Sequence, residues 1–262
     1  MKPILDIINL SVEFPSPNGS FAALSNFSLT INEYQFVSLV GLSGCGKSTV
    51  LNTAAGYLNP SKGSIYFEGI EVKGPNKDRV VVFQEDAVFP WYTVEENIAY
   101  SLNLQYSINK SDRDNVINEY LNIVGLQDFK TFYPKDLSGG MKKRVDLARA
   151  YAANPKMLLM DEPFGALDTF TREHMQLQLL KLLSFKQKSV LFITHDISEA
   201  IFLSDKIVLM TPNPGKVDMS YEISFTRPRD TSLKKTIEFL DLQSEIESRM
   251  HEQEKYYGGN QV

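Results

Sequence analysis

The chain has 262 residues, of which 43% are hydrophobic and 23% charged, with a formal net charge of −5. That length buries a substantial core, as one large domain or a core with a subdomain, and the acidic balance argues against a dedicated nucleic-acid binder, which carries a basic face. The single cysteine, Cys45, excludes an intramolecular disulfide and a zinc cluster built on several thiolates.

Met1–Leu10 has one early lysine and soon reaches Asp6, so it does not read as a secretion signal. No stretch approaches the ~20 apolar residues that span a bilayer, so a membrane role is expected only through docking on another chain. Residues 4–14 and 27–40 supply strand-like runs, and Phe36–Val40 feeds directly into the glycine-rich Gly41–Gly46. A helix is predicted from Lys47 to just before Gly56, with Pro60 and Gly63 marking the turn beyond it. Ile65–Phe67 and Val80–Phe83 are further strand candidates.

From about residue 94 to 153 the pattern becomes helical. Met141, Val145, Ala148 and Ala152 recur at helical spacing and predict a buried face, while Lys142, Lys143 and Arg144 read as a solvated basic one. Strand signals return at Met157–Met160, Ser189–Thr194 and Lys206–Met210, with an amphipathic helix marked by Met175, Leu179, Leu182 and Leu183 between them. Beyond about residue 230, Leu233, Ile237 and Leu240 predict one packed helix, with a frayed end over Lys255–Val262. Short strands alternating with helices favour an α/β protein with a largely parallel sheet, a core interrupted by a helical insertion.

Gly41-Leu42-Ser43-Gly44-Cys45-Gly46-Lys47-Ser48 fits the phosphate-binding pattern G-x-x-x-x-G-K-[ST], between a strand and a helix as that loop requires. Glycines let the backbone curl so that successive N–H groups face the phosphates, and the helix N-terminus adds its positive dipole end. On this pattern Lys47 bridges the β- and γ-phosphates of ATP, Ser48 offers a hydroxyl to Mg2+, and Thr49 meets the α-phosphate. Cys45, at a variable position of the loop, is read as a space-filling residue rather than a redox switch, although a helix start can lower a thiol pKa.

Met157–Met160 ends in Asp161-Glu162. At the carboxyl edge of a parallel sheet such acids enter the crevice where ligands of doubly wound folds bind. Asp161 is the candidate to organise magnesium through water, and Glu162 to polarise the attacking water or take its proton. An acidic pair alone is more often solvated surface; downstream of a phosphate loop, catalysis is the better reading. Leu137-Ser138-Gly139-Gly140-Met141 opens the basic helix: Ser138 is a good N-cap, and the glycines let an anion approach bare N–H groups. In isolation it reads as a cap and a turn.

These three motifs, in this order and spacing, resemble the nucleotide-binding subunit of an ATP-binding-cassette (ABC) transporter, and the resemblance covers roughly residues 4–225. The other landmarks are Gln84 in Val82-Phe83-Gln84-Glu85, Asp168 in Gly165-Ala166-Leu167-Asp168, and His195 in Ile193-Thr194-His195-Asp196. Phe14 lies where the family stacks an aromatic on adenine, with Phe21 as its rival. The resemblance implies a P-loop NTPase (RecA-like) core with a mixed sheet, an N-terminal antiparallel β-subdomain and an inserted helical subdomain. It implies one ATPase domain over 1–230 (core 1–84 and 155–230, helical subdomain about 85–154) and a helical tail over 231–262.

It further implies ATP hydrolysis in a dimer, where Ser138, Gly139 and Gly140 of one copy meet the nucleotide held by the other's Gly41–Thr49. Gln84 would sense magnesium and the lytic water, His195 contact the γ-phosphate region, and Asp168 communicate across the dimer. Trp91, in Phe89-Pro90-Trp91, is core packing or an exposed anchor for a permease; the family favours the anchor. Phe-Pro-Trp, Glu162–Asp168 and Arg227-Pro228-Arg229 look like the nitrate, sulfonate and taurine importers, with departures at Leu42, Tyr92 and Asp146. The expected partners are a second copy, integral membrane permease subunits and, indirectly, a periplasmic or lipid-anchored binding protein. The expected location is the cytoplasmic face of the membrane, as a peripheral subunit. A split exporter ATPase is the alternative, and a soluble ABC protein acting on ribosomes or DNA a more distant one.

Overall fold

Residues 2–17, 19–85, 87–103 and 109–258 are described by the computed structural model. The chain opens with a long antiparallel pair, β1 (Pro3–Ser16) and β2 (Gly19–Asn32). It continues through β3 (Phe36–Gly41), α1 (Lys47–Ala55), β4 (Lys62–Phe67), β5 (Ile70–Glu71) and β6 (Arg79–Val82). Three helices follow, α2 (Val94–Asn103), α3 (Lys110–Val124) and α4 (Gly139–Ala152). The rest alternates as β7 (Met157–Asp161), α5 (Thr169–Phe185), β8 (Ser189–Ile193), α6 (Ile197–Leu203), β9 (Lys206–Thr211) and β10 (Lys216–Glu222), before α7 (Ile237–Gly258).

The strands form two sheets. β2-β1-β4-β5 is antiparallel, and β10-β9-β3-β8-β7-β6 is parallel except for the β9–β10 edge pair. Apart from its edge strand β10, the larger sheet is covered on both faces, which is why its parallel strands are apolar runs without polar alternation. Alternate residues of each strand serve different cores. Phe36, Val40, Leu158, Met160, Val190, Phe192, Ile207 and Leu209 face the helical insertion, α5 and α6. Val37, Leu39, Met157, Leu159, Leu191, Ile193, Val208 and Met210 face α1 and the antiparallel sheet.

The helix stops follow local chemistry. Gly56 ends α1 in the left-handed conformation, φ 84°, and donates back to Thr53 O. Asn109, Ser138, Asp168 and Asp196 each cap the helix that follows them with a side-chain oxygen.

Several expectations change. β2 begins at Gly19, well before residue 27, because residues 19–26, which lack a clean apolar–polar alternation, are held by cross-strand pairing with β1. β10 was not foreseen, although Val217, Met219 and Tyr221 alternate with polar residues across Lys216–Glu222, the pattern of an edge strand. The tail is helical, but it packs through Phe239, Leu242, Ile246 and Met250, while Ile237 and Leu240 are exposed and Leu233 sits in a preceding 3-10 turn. Its helix runs to Gly258; residues 259–262 of the expected frayed end lie outside the described residues.

The basic face of α4 is not simply solvated. Lys143 is 1% exposed, and its Nζ donates to Phe83 O at 2.6 Å and lies 3.6 Å from Asp146 Oδ2. Asp146 in turn accepts from Arg149 at 2.7 Å, and Arg149 donates to Ala87 O at 2.6 Å. Arg144 donates to Val124 O at 2.9 Å. Asp146 thus holds two cations whose other hydrogen bonds secure the backbone on both sides of residue 86. Removing one partner of a buried ionic group leaves the others uncompensated. Asp146→Ala is expected to destabilise the fold by about 3 kcal/mol. The check is the urea-unfolding midpoint, and an unchanged midpoint would show that Lys143 and Arg149 do not depend on this carboxylate.

Candidate active site

Four parallel strands, β3, β8, β7 and β6, deliver the candidate residues to one edge of the sheet. β3 ends at Gly41 and turns through the loop into α1. Two glycines illustrate two different requirements. Gly44 needs glycine for its φ of 75° alone, whereas a Cβ on Gly46 (φ 93°) would also lie 2.7 Å from Leu24 Cδ2 and 3.0 Å from Ala23 O. The loop is therefore pressed against β2 on one side. Ser43, Gly44 and Ser48 are exposed on the other.

Gly46 caps α1 without a side-chain hydrogen bond, so its first-turn N–H groups keep their capacity to bind an anion. Lys47 Nζ curls back to donate to Gly41 O at 2.9 Å and Leu42 O at 3.1 Å, which places the ammonium within the curve of the loop. Thr49 is half-buried in the first turn. Cys45 is fully buried, and burial pushes its thiol pKa up against the opposing pull of Lys47. A helix start does not prevail over desolvation here, in keeping with a packing role.

β7 ends in Asp161, followed by Glu162. Burial raises the Asp161 pKa, opposed by a hydrogen bond from the Ser48 hydroxyl; nearby Glu162 raises it further and Lys47 lowers it. This is an electrostatic environment that a cation would relieve. Glu162 adopts φ 43°, uncommon for a non-glycine residue, and its N–H donates to Ile193 O at 3.0 Å. Its Oε2 lies 3.0 Å from His195 Nδ1, although the two residues are far apart in sequence. Gln84 reaches the same place from the end of β6. A Cβ built on Gly165 would stand 3.5 Å from Gln84 Nε2 and 3.6 Å from Glu162 Oε2. Gln84, Glu162 and His195, the candidate catalytic set, thus converge from three strand ends.

Phe14 and Phe21 are direct cross-strand partners and both are exposed, by 36% and 49%. Directly opposed residues of an antiparallel pair share a face. The two rivals form one aromatic surface.

Ser138, Gly139 and Gly140 belong to a different packing unit. Ser138 caps α4 by accepting from Met141 N at 3.3 Å, and a Cβ on Gly140 would meet Thr171 Cγ2 at 2.7 Å. The adjoining cavity, of about 300 Å3, is lined by α4 and α5 residues including Arg144, Phe170 and His174, and by none of Gly41–Thr49. Asp168 caps α5 through Thr171 N at 3.1 Å, and hydrogen bonds from Thr171 lower its pKa. Among the described residues no hydrogen bond joins Ser138–Gly140 to the phosphate loop of the same chain.

The sequence reading missed the residues that hold Gln84. Lys143 also donates to Gln84 O at 3.3 Å, and Arg149 stacks its guanidinium over Phe89 at 5.0 Å. The spacing Lys143, Asp146, Arg149 puts three charges of alternating sign along one helix face, and that pattern was available as a signal.

Fold and loop together define a P-loop nucleoside triphosphatase. A model of the ABC transporter family matches residues 24–165. The chain is 43% identical over 222 residues to the taurine import ATP-binding protein of Roseobacter denitrificans, covering 84% of this chain and 82% of that one. It is 40% identical over 256 residues to the nitrate import ATP-binding protein of a Synechocystis species, with coverage of 95% and 96%. It superposes with TM-score 0.72 and 30% identity on a dimeric ATP-binding cassette in a post-hydrolysis state bound to ADP and Pi, covering 85% of this chain and 100% of the other. The chain belongs to the ABC transporter family, as an ATP-binding and ATP-hydrolysing subunit.

The buried thiol supplies a direct check on loop packing. Because the thiolate is the reactive form, maleimide at neutral pH should modify Cys45 at least about tenfold more slowly in the folded than in the urea-unfolded chain. Equal rates would show that the loop opens freely.

Proposed function

We propose that this subunit powers an importer for a small anionic or zwitterionic solute of the nitrate, sulfonate or taurine type, and that Gln84, Glu162 and His195 act on the γ-phosphate end of ATP. The relatives named for nitrate and taurine import support the first part. The approach of His195 Nδ1 to Glu162 Oε2 at 3.0 Å, beside Gln84 and the end of β7, carries the second.

In this reading the N–H groups of Ser43, Gly44, Cys45, Gly46, Lys47 and Ser48 cradle the phosphates, with Thr49 at the α-phosphate. Lys47 exchanges its loop carbonyls for phosphate oxygens. A water held by Glu162 and Gln84 attacks the γ-phosphorus, its proton passes towards the Glu162 carboxylate, and the bond to the β-phosphate oxygen breaks to leave ADP and Pi. His195 supports Glu162 and the γ-phosphate. The Ser48 hydroxyl and Asp161, with Gln84 nearby, suit Mg2+; burial is the main cause of the raised Asp161 pKa, and the ion would stabilise the charged form of that desolvated carboxyl. When bound, magnesium neutralises charge on the phosphates. Phe14 or Phe21 stacks on adenine.

Ser138, Gly139 and Gly140 complete the site from a second copy. The separate packing of α4 and α5 supports this, as does the dimeric form of the solved cassette. Asp168, at the start of α5, adjoins that boundary. Among the described residues no helix is long and apolar enough to cross a membrane. Guided by the import ATP-binding relatives, we assign the subunit to the cytoplasmic face, docked on integral membrane permease subunits that receive solute from a periplasmic or lipid-anchored binding protein. Trp91, 65% exposed and stacked 5.6 Å from Phe89 in a cluster with Tyr92 and Tyr100, is the proposed permease anchor.

Glu162→Gln should bind ATP and dimerise, yet hydrolyse at least about a hundredfold more slowly; near-normal turnover would move the catalytic role elsewhere. Lys47→Ala should lose nucleotide affinity by about tenfold or more in equilibrium binding. Retained tight binding would contradict the placement of the phosphates.

A further inference from the structure

The helix immediately after His195 is gripped at both ends by residues from elsewhere in the chain. At its C-terminal end stands Arg227-Pro228-Arg229, a sequence motif that the ATP site does not use. Arg229, 6% exposed, donates to the carbonyls of Ile201, Phe202 and Ser204 at 3.2, 3.0 and 2.8 Å, and Arg227 donates to Leu203 O at 2.7 Å. These are the carbonyls that a helix end leaves without intrahelical partners, and two guanidinium groups satisfy them.

The other end is held by a chain of four side chains. Thr194 Oγ1 donates to Glu199 Oε2 at 2.6 Å and accepts from Asp196 N at 3.1 Å. Glu199 is 3% exposed, and its second oxygen accepts from Gln176 Nε2 at 3.0 Å. Gln176, buried on α5, accepts through Oε1 from Lys234 Nζ at 2.7 Å. Lys234 lies in the turn between β10 and α7, with its ammonium 4.7 Å from the centroid of Phe202 and 3.7 Å from Glu173.

Each link restricts the next. The Gln176 amide faces an ammonium with its oxygen and a carboxyl with its nitrogen. A flipped amide would oppose donor to donor at one end and acceptor to acceptor at the other. Without Lys234 the amide loses the group that selects its orientation. Glu199 then loses a fixed donor on Oε1, and in a buried site it must seek another. Among the described residues its one other side-chain donor is Thr194, the residue before His195.

We propose that Lys234 is a positioning residue for ATP hydrolysis: through Gln176 and Glu199 it fixes Thr194, and with it the side chain of His195 against Glu162. This rests on the assignment of His195 and Glu162 to hydrolysis. It gives the segment beyond β10 control over turnover without contact to nucleotide.

Lys234→Met keeps most of the aliphatic stem and removes the ammonium, with its contacts to Gln176, Glu173 and the Phe202 ring. In the full-length protein its kcat should fall about fivefold while KM for ATP stays within about twofold of the parent. The thermal midpoint should fall by no more than about 6 °C, leaving the variant folded at assay temperature, and Lys234→Arg should recover most of the rate. Single-turnover Pi release resolves slow variants, so the same substitution can be read in a His195→Ala background, where it should have no further effect. Gln176→Met breaks the chain at its middle and should show the same non-additivity. An unchanged kcat in Lys234→Met, or the same fold loss with and without His195, overturns the proposal. Wild-type turnover in His195→Ala overturns the assignment of His195 itself, and that result is distinct from either of the others.

Discussion

The parallel strands β3, β8, β7 and β6 are buried on both faces, and that constraint organises the rest of the molecule. Such a strand must keep its side chains apolar along its length, so its polar chemistry can begin only where it leaves the sheet. The phosphate loop follows β3, Gln84 follows β6, the acidic pair closes β7, and His195 follows β8. The shared direction of the strands puts all four exits on one edge, in the crevice that open α/β sheets use for ligands. Residues remote in sequence therefore meet there without any long-range recognition between their own loops.

Once at the edge, each group is held by polar contacts to the helices that cover the sheet. Lys143 and Arg149 grip the backbone around Gln84 from α4, with Asp146 between them. Glu199 and Thr194 hold the approach to His195 from α6. Ser138 and Asp168 cap α4 and α5, and those two helix starts pack so closely that Gly140 has no room for a methyl group beside Thr171. The apolar sheet sets direction, and these charged or hydrogen-bonded anchors set distance. Buried polar groups suit that task because each tolerates few alternative partners.

Legibility in the sequence followed the range of the interaction responsible. The Gly41–Ser48 pattern, the helix from Lys47 to Gly56 and the strand leading into Asp161 are local features, and the structure has them where composition and spacing put them. The helical face of Val145, Ala148 and Ala152 is likewise buried. β2 ahead of residue 27 lacks a clean apolar–polar alternation and becomes a strand through pairing with β1, whereas β10 does alternate, Val217, Met219 and Tyr221 against polar neighbours, and its signal was passed over. The tail misled for a related reason: its buried face, Phe239–Ile246–Met250, is offset from the one marked by Ile237 and Leu240.

The sequence by itself specified the proposed nucleotide chemistry, since a phosphate cradle needs glycines, a lysine and a hydroxyl in fixed local order. It also determined the α/β class, through the alternation of apolar strands and amphipathic helices. Only the tertiary structure decided which charges are free. Lys143 passes for a solvated residue in sequence and is buried against the backbone of Gln84, while Cys45, read as space-filling, has its thiol pKa raised by burial despite its place at a helix start. Desolvation and partner geometry govern both cases, and neither is encoded by neighbours along the chain.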